Sequence, residues 1–273
     1  MGDLEGAGMR RVIRWAGLVL ATAAVLAGCG GEEAVKHSFA SDSEYVTDKG
    51  VLVVGVTDFE PLDYIQDGKW MGFDAEMAEL FAESIGVSAE FMEIDWKKKT
   101  ALLNNGTIDC VWNGMTLSEK VREEMECSAA YLNNAQMVVV PVKNAEKLRT
   151  AKDCMHLLFA AEVSSAGEQE LKDRNYRFTS ASSQMEALEN VISGKADAAV
   201  IDAIMAGALI GEGKQFEELI CIDSLSSEEY GVGFRKGSDL AEKVNAFWRE
   251  SFLSGVLQER AEKYGLENAV IEP

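Results

Sequence analysis

The sequence predicts an α/β protein with a largely parallel sheet, built as two successive α/β units. Two observations predict this class. Apolar segments of strand length alternate with amphipathic segments of helix length, and the alternation starts again near residue 157. Such alternation favours parallel pairing of strands through crossover helices. Because the two units have similar size and strand-like segments join them near residues 140 and 230, we predict two lobes with a double crossing between them.

The first unit has the clearest pattern. Val51–Val56 is a continuous apolar run, which is typical of a strand buried on both faces. Residues 73–86 carry one apolar stripe, with Asp74 placed to cap a helix and Gly86 placed to end it. The other elements predicted in this unit are strands at 89–94 and 108–112 and helices at 97–105 and 119–126.

The second unit repeats the alternation after a strand that Pro141 interrupts. Two long amphipathic segments then close the chain. The predicted strands are 136–142, 157–161, 176–179, 196–201, 219–222 and 230–234, and the predicted helices are 165–173, 184–192, 203–210, 240–253 and 256–264.

Residues 1–28 predict an export signal. A basic segment at Arg10, Arg11 and Arg14 precedes an apolar run of 14 residues. Such a run is too short to span a bilayer but suits the apolar part of a signal peptide. It ends at Leu26-Ala27-Gly28-Cys29, which resembles the bacterial lipoprotein signal and implies lipid attachment at Cys29; an ordinary secretory signal is the alternative. Residues 29–47 are polar and without an apolar period, and so predict a lipid-anchored tether.

The charge and the cysteines exclude several classes of function. The formal net charge is −20, and almost all of it belongs to the chain after residue 28. Such a surface repels nucleic acid and anionic lipid, so we expect neither as a partner. Apart from Cys29 the cysteines are scattered without a CxxC pair, which argues against a zinc or redox site. We expect core thiols, with one disulfide left open, and no cofactor or metal.

A series of short motifs identifies a candidate family. They are Phe59-Glu60-Pro61-Leu62-Asp63-Tyr64, Gly72-Phe73-Asp74, Asp95-Trp96, Asn105-Gly106-Thr107-Ile108-Asp109, Gly114-Met115-Thr116 and the segments 190–202 and 230–237. In this order they resemble the family 3 extracytoplasmic solute-binding proteins, the amino-acid receptors of ABC importers. The resemblance implies a type II periplasmic-binding-protein fold, with two hinge strands and a ligand cleft that closes between two lobes. We expect the first lobe at 48–140 plus 230–273 and the second at 141–229.

The same resemblance implies ligand-binding residues. Phe59 and Trp96 match aromatic positions along the ligand's side chain, although either could be a packing residue instead. Gly114 and Thr116 match positions that offer backbone and hydroxyl groups to the ligand's α-ammonium and α-carboxylate, although a tight turn and a helix cap would look alike. Gly114 also allows a close approach of the backbone. Asp202 matches the carboxylate that receives the ammonium, and a helix N-cap is its alternative.

Three further positions concern the ligand's carboxylate. Ser164 and Ser165 lie at a predicted helix start, where free N–H groups attract anions. The family has a glycine just before this point, whereas this chain has Val163. The family's carboxylate-binding arginine falls at Val121, with Arg122 next to it. Because one helical residue turns a side chain by roughly 100°, Arg122 reaches the cleft only if its helix begins one residue later.

These observations predict an extracytoplasmic, lipid-anchored and monomeric receptor that passes a polar amino acid or related zwitterion to an ABC permease, without catalysis. The alternatives are an enzyme resembling cyclohexadienyl dehydratases on the same scaffold, or a ligand sensor for a signalling partner. Acid–base catalysis needs a placed proton donor. The two histidines are His37, in the predicted tether, and His156, near the start of a predicted strand. Neither singles itself out as a catalytic acid.

Overall fold

The structure is a computed structural model that describes residues 39–273. The predicted signal peptide, Cys29 and the first part of the predicted tether lie outside the described residues. The strands are β1 (Val51–Val56), β2 (Tyr64–Gln66), β3 (Lys69–Met71), β4 (Ser88–Glu93), β5 (Cys110–Thr116), β6 (Glu126–Cys127), β7 (Leu132–Pro141), β8 (Leu158–Glu162), β9 (Arg177–Ala181), β10 (Ala198–Asp202) and β11 (Leu219–Phe234). The helices are α1 (Asp42–Lys49), α2 (Phe73–Ser84), α3 (Lys99–Asn104), α4 (Glu119–Glu124), α5 (Ala166–Asp173), α6 (Gln184–Ile192), α7 (Ala203–Leu209), α8 (Leu240–Leu253) and α9 (Val256–Lys263).

Nine strands form one mixed sheet in the order β4-β1-β5-β11-β7-β10-β8-β9, with β6 paired to β11. We call β4, β1 and β5 the first half of the sheet and β10, β8 and β9 the second half. Pairing within each half is parallel, as the alternation of strands and helices predicts. The strands β11 and β7 run antiparallel to their neighbours and join the two halves. The fold is therefore the predicted two-lobed α/β architecture with two connecting strands.

The strand β11 is longer than predicted. The predicted strands at 219–222 and 230–234 are the two ends of one strand of 16 residues. It pairs with β7 from Leu219, opposite Pro141, to Tyr230, opposite Leu132. Its pairing shifts register between Cys221 and Asp223 and again between Ser224 and Ser226. The side chains of residues 220–229 are all half-buried or exposed, so polar residues fit the middle of a continuous strand and interrupt the apolar pattern there.

Aromatic packing fixes the carboxyl-terminal helices to the first half. The Trp248 ring of α8 stacks on Tyr131 at a centroid distance of 4.9 Å. It also meets Trp112 of β5 edge-on at 5.3 Å. All three side chains are at most 1% exposed. Aromatic pairs of this kind stabilise a core beyond the burial of their area.

The amino-terminal helix α1 corrects the prediction of a tether that extends to residue 47. Ser41 caps the helix, and the Val46 side chain is fully buried. The buried carboxylate of Asp109 accepts hydrogen bonds from Lys49 Nζ at 2.5 Å and from Arg235 Nη2 at 3.3 Å. Residues 42–47 thus belong to the folded unit. Their two hydrophobic side chains, Tyr45 and Val46, are adjacent in sequence and give no periodic signal.

Within residues 39–273 no helix is long and apolar enough to cross a membrane. The same part of the chain contains no group of three histidine, cysteine or acidic side chains that could hold a metal ion. Its four cysteines are free thiols, of which Cys110 and Cys154 are buried.

Candidate ligand-binding cleft

A cleft of about 920 Å³ is lined by residues from both halves of the sheet. From the first half come the segment after β1, the end of β5 and the residues around α3 and α4. From the second half come the ends of β8 and β10 and the start of α5. The carboxyl ends of parallel strands therefore meet at this cleft, where α/β sheets bind their ligands.

The most constrained side chain in the cleft is that of Asp202. Its carboxylate accepts hydrogen bonds from Asn134 Nδ2 at 2.5 Å, from Gln136 Nε2 at 2.6 Å and from the Gln184 amide. Asp202 occupies the N-cap position of α7 but makes no capping hydrogen bond with its side chain. Instead, Asn134 Oδ1 accepts the Ile204 N–H at 3.2 Å. Asp202 thus lines the cleft, and its side chain does not cap α7.

Glu228 of β11 forms a carboxylate pair with Asp202. The Nδ2 of Asn134 and the Nε2 of Gln136 also donate to Glu228 Oε1, at 2.6 and 2.7 Å. Each amide therefore bridges both acids. Burial and the neighbouring Asp202 charge raise the pKa of Glu228 to about 7, and burial raises the pKa of Asp202. A cation placed against the pair would stabilise both charges.

The predicted aromatic residues form one wall. Phe59 lines the cleft although its side chain is only 3% exposed, and its ring meets Tyr230 edge-on at 6.3 Å. It is a cleft residue and a core residue at once. Trp96 is half-buried, lines the cleft and begins a 3₁₀ turn just before α3.

Gly114 lies inside β5 rather than in the turn expected after it. Its φ of +55° favours glycine, and an added Cβ would lie 2.6 Å from Phe59 Cε1. The Gly114 N–H donates to Asp74 Oδ2 at 2.8 Å, so this N–H is already bound. Asp74 is consequently not the predicted helix cap: it is fully buried, and Gly72 precedes α2 as its N-cap. Thr116 lines the cleft, and its hydroxyl makes no hydrogen bond to the described residues.

The start of α5 is closed by the chain's own carboxylate. Ser164 adopts a left-handed φ of +62° and, like Ser165, lines the cleft. The Ser164 N–H donates to Glu168 Oε2 at 3.0 Å, and the Ser165 hydroxyl accepts the Glu168 N–H at 3.1 Å. The left-handed backbone conformation that favours glycine is therefore adopted by Ser164. It is not adopted by Val163, which stands where the family has a glycine.

The structure does not place Arg122 in the cleft. Ser118 caps α4 and accepts the Val121 N–H at 3.2 Å, which fixes the start of the helix at Glu119. In this register Val121 lines the cleft, whereas Arg122 is exposed and its Nε donates to the Leu117 carbonyl. The helix does not begin one residue later, so the condition on which Arg122 would reach the cleft is not met.

Two charged side chains that the sequence reasoning missed are buried at the cleft. Lys99 of α3 and Glu162 at the end of β8 are 9% and 6% exposed and line the cleft. Burial lowers the pKa of Lys99 to about 8 and raises that of Glu162 to about 8. The charge of each stabilises the charged form of the other. Both lie close in sequence to positions that the family resemblance singled out, Trp96 and Val163. A lysine or a glutamate by itself does not indicate a buried cleft residue, so the sequence did not single out Lys99 or Glu162.

The sequence also matches a known family. The family described as "Bacterial extracellular solute-binding proteins, family 3" covers residues 52–267. The chain belongs to this family. This family 3 protein is 24% identical over 231 residues to the arginine-binding extracellular protein of Bacillus subtilis, across 82% of this chain and 89% of the relative.

Two solved structures show the same fold. One is a substrate-binding protein of an ABC uptake transporter from Streptococcus pneumoniae with bound histidine; it is 26% identical, covers 84% of this chain and 98% of its own, and has a TM-score of 0.78. The other is a reconstructed ancestral amino-acid-binding protein, described as a precursor of cyclohexadienyl dehydratase; it is 26% identical, covers 82% and 99%, and has a TM-score of 0.75. Both likenesses are to binding proteins, and they confirm the predicted family and fold.

Proposed function

We propose that this family 3 protein is the receptor of an ABC importer and that it holds a polar amino acid between Asp202 and the aromatic wall of the cleft. The single observation that carries the proposal is the Asp202–Glu228 pair. The buried Asp202 and the half-buried Glu228 are held by shared amide donors, and together they provide the partner that an ammonium group needs once it loses its water. The amino acids named for the relatives support the same ligand class.

We propose that binding draws two lobes together. Phe59, Trp96 and Thr116 would meet the ligand from the first half of the sheet, and Asp202 and Ser165 from the second. Only a closed form makes both sets of contacts, so the ligand would favour closure. The lobes would change over where β7 and β11 change partners, near residues 132–136 and 226–230. Both places lie a few residues before the lobe boundaries that the sequence predicts, which are residue 140 in β7 and residue 230 in β11.

We further propose that Cys29 carries a lipid that holds the receptor, as a monomer, outside the cytoplasmic membrane and beside its permease. The support is the signal-like sequence of residues 1–29. A lipid anchor suits a receptor that releases its ligand to a membrane protein, because it keeps the two at high local concentration. Mass spectrometry of the exported protein tests this: an unmodified Cys29 refutes the anchor without touching the ligand proposal.

The ligand proposal is tested by the melting temperature of the purified protein in the presence of each amino acid. A ligand that binds only the folded form raises that temperature. We expect at least one polar amino acid to do so, and Asp202→Asn to abolish the rise. Asp197→Asn is the matched control, because Asp197 lies at the opposite end of β10 and is exposed. If no amino acid raises the melting temperature, or if Asp202→Asn keeps the full rise, the proposed function is wrong.

The enzymatic alternative is tested with the same protein. His156 is exposed and is not part of the cleft, so it does not lie against a ligand there. We expect no turnover of prephenate or arogenate, and measurable turnover would replace the receptor proposal.

A further inference from the structure

An amino acid brings a carboxylate into the cleft as well as an ammonium, and the structure limits what can bind it. A carboxylate that leaves water needs a cation or several N–H donors. The Asp202–Glu228 pair can serve only the ammonium. The start of α5 is the nearest set of N–H groups, but there Glu168 already accepts from Ser164 and from Lys172. The chain's own carboxylate thus occupies that position.

The cations of the cleft are four lysines, and among the described lining residues there is no arginine. Three of these lysines have side chains that are 47–79% exposed, and each forms an ion pair with a neighbouring acid. They are Lys97, Lys120 and Lys172. Lys99 differs in both respects, since it is 9% exposed and has no acid within the ion-pair distance of 4.0 Å in the described chain.

The surroundings of Lys99 hold its ammonium at the cleft wall. The Nζ lies 4.4 Å from the centre of the Trp96 ring and donates to the Trp96 carbonyl at 3.3 Å. That single hydrogen bond leaves two of the three N–H donors of the ammonium unused. The neighbouring Thr100 donates to Glu124 of α4 at 3.0 Å, which ties α3 to the helix that carries Val121. Lys99 and Val121 thus both line the cleft, whereas Lys120, the cation that α4 itself brings there, is exposed and pairs with Glu124.

We propose that Lys99 binds the α-carboxylate of the ligand. The inference rests on the proposed function and adds the residue that answers the ligand's negative end. The ligand would then join Lys99, on the side of the first half, to Asp202 of the second half and to Glu228 of the connecting strand β11. The carboxyl group of Glu162 faces the same space without a hydrogen bond from the described residues, and burial raises its pKa to about 8, which favours its neutral form near neutral pH. A neutral Glu162 does not repel the carboxylate.

The test compares an amino acid with the amine that remains when its carboxyl group is removed. The pairs are L-arginine with agmatine and L-histidine with histamine, together with any other amino acid that raises the melting temperature and its own amine. Calorimetric titration gives the affinities of the wild type and of Lys99→Met. We expect the wild type to prefer the amino acid by about 10- to 100-fold, the range for a buried charge-assisted hydrogen bond. Lys99→Met should lose that preference and keep its affinity for the amine within about twofold.

Two variants complete the design. Lys98→Met removes an exposed cation of the same turn that does not line the cleft, and it should leave the preference unchanged. Lys99→Arg keeps the positive charge and should retain part of the preference that Lys99→Met loses. The melting temperature of each variant without ligand shows whether it folds. A preference that survives Lys99→Met, or a wild type that binds amine and amino acid equally, overturns the role of Lys99 while the receptor proposal stands. If no amino acid binds at all, both proposals fall together.

Discussion

Acid should weaken ligand binding through the Asp202–Glu228 pair. The pKa of Glu228 is about 7 in the free protein, because its burial and the Asp202 charge favour the protonated form. A bound ammonium favours the charged form of both acids, so binding lowers this pKa and releases a proton. Lowering the pH restores the proton and opposes binding. The sign is therefore fixed: affinity rises with pH up to about 7 and levels off above it.

The size of the effect follows from the same value. If only the ionised Glu228 accepts the ammonium, a pKa of about 7 makes affinity fall about 25-fold between pH 7.5 and pH 5.5. Lys99 and Glu162 also face this space, but their pKa values of about 8 keep both largely protonated throughout that range. Burial raises the pKa of Asp202 as well, so the pH dependence belongs to the Asp202–Glu228 pair, in which the carboxyl of Glu228 has a pKa of about 7.

Calorimetric titration of a bound amino acid at several pH values measures this slope directly. Repeating the titration in buffers with different ionisation enthalpies counts the released protons. Glu228→Gln keeps the shape of the side chain without its titration, so its affinity should be nearly flat over the range. Glu229→Gln is the control, because Glu229 is exposed and also lines the cleft. A flat profile in the wild type, or an equal slope in Glu228→Gln, would refute the reasoning.

Two further predictions concern stability and are measured by urea unfolding. Gly114→Ala should lower the free energy of unfolding by about 2–4 kcal/mol, since it adds left-handed strain to a clash with Phe59 Cε1. Asp109→Asn should lower it by about 3–5 kcal/mol, because the ammonium of Lys49 and the guanidinium of Arg235 lose their shared, fully buried carboxylate.

Each of these has a control elsewhere in the chain. Gly237 has a φ of +80° and open space at its Cβ, so Gly237→Ala should cost only the backbone strain, about 1 kcal/mol. Glu259→Gln breaks an exposed ion pair with Arg260 and should change stability by less than about 1 kcal/mol. Equal losses at Gly114 and Gly237 would show that the clash at Gly114 is relieved. A small loss at Asp109 would show that its partners find other acceptors.

Much of the fold could be predicted because its signals are local. The strand β1 shows as an apolar run and α2 as an amphipathic stripe ended by Gly86. The middle of β11 lacked such a signal, since only its partner β7 makes a strand of residues 223–229. Local pattern therefore located the regular elements and missed a segment that pairing alone defines.

The site was less predictable because its geometry is set by partners that are distant in sequence. Asp202 was expected at the cleft from the end of an apolar strand, but the amides that hold it come from β7 and from α6, up to 68 residues away. Lys99 is the last of three consecutive lysines, and only the 3₁₀ turn before α3 decides which of them is buried. Likewise the cap at Ser118 fixes which face of α4 turns to the cleft.

The connection between the two halves is a hydrogen-bonded ribbon rather than a pair of loose linkers. Because β7 and β11 stay paired from Leu132 to Pro141, any change in the angle between the halves must twist this ladder instead of breaking it. The register shifts at Cys221–Asp223 and Ser224–Ser226 place extra residues in β11 relative to β7. Such bulges increase the local twist of a strand pair. If the halves close as we propose, the ribbon would let them rotate about one axis and would resist lateral slip, so the faces that meet would be set before a solute arrives.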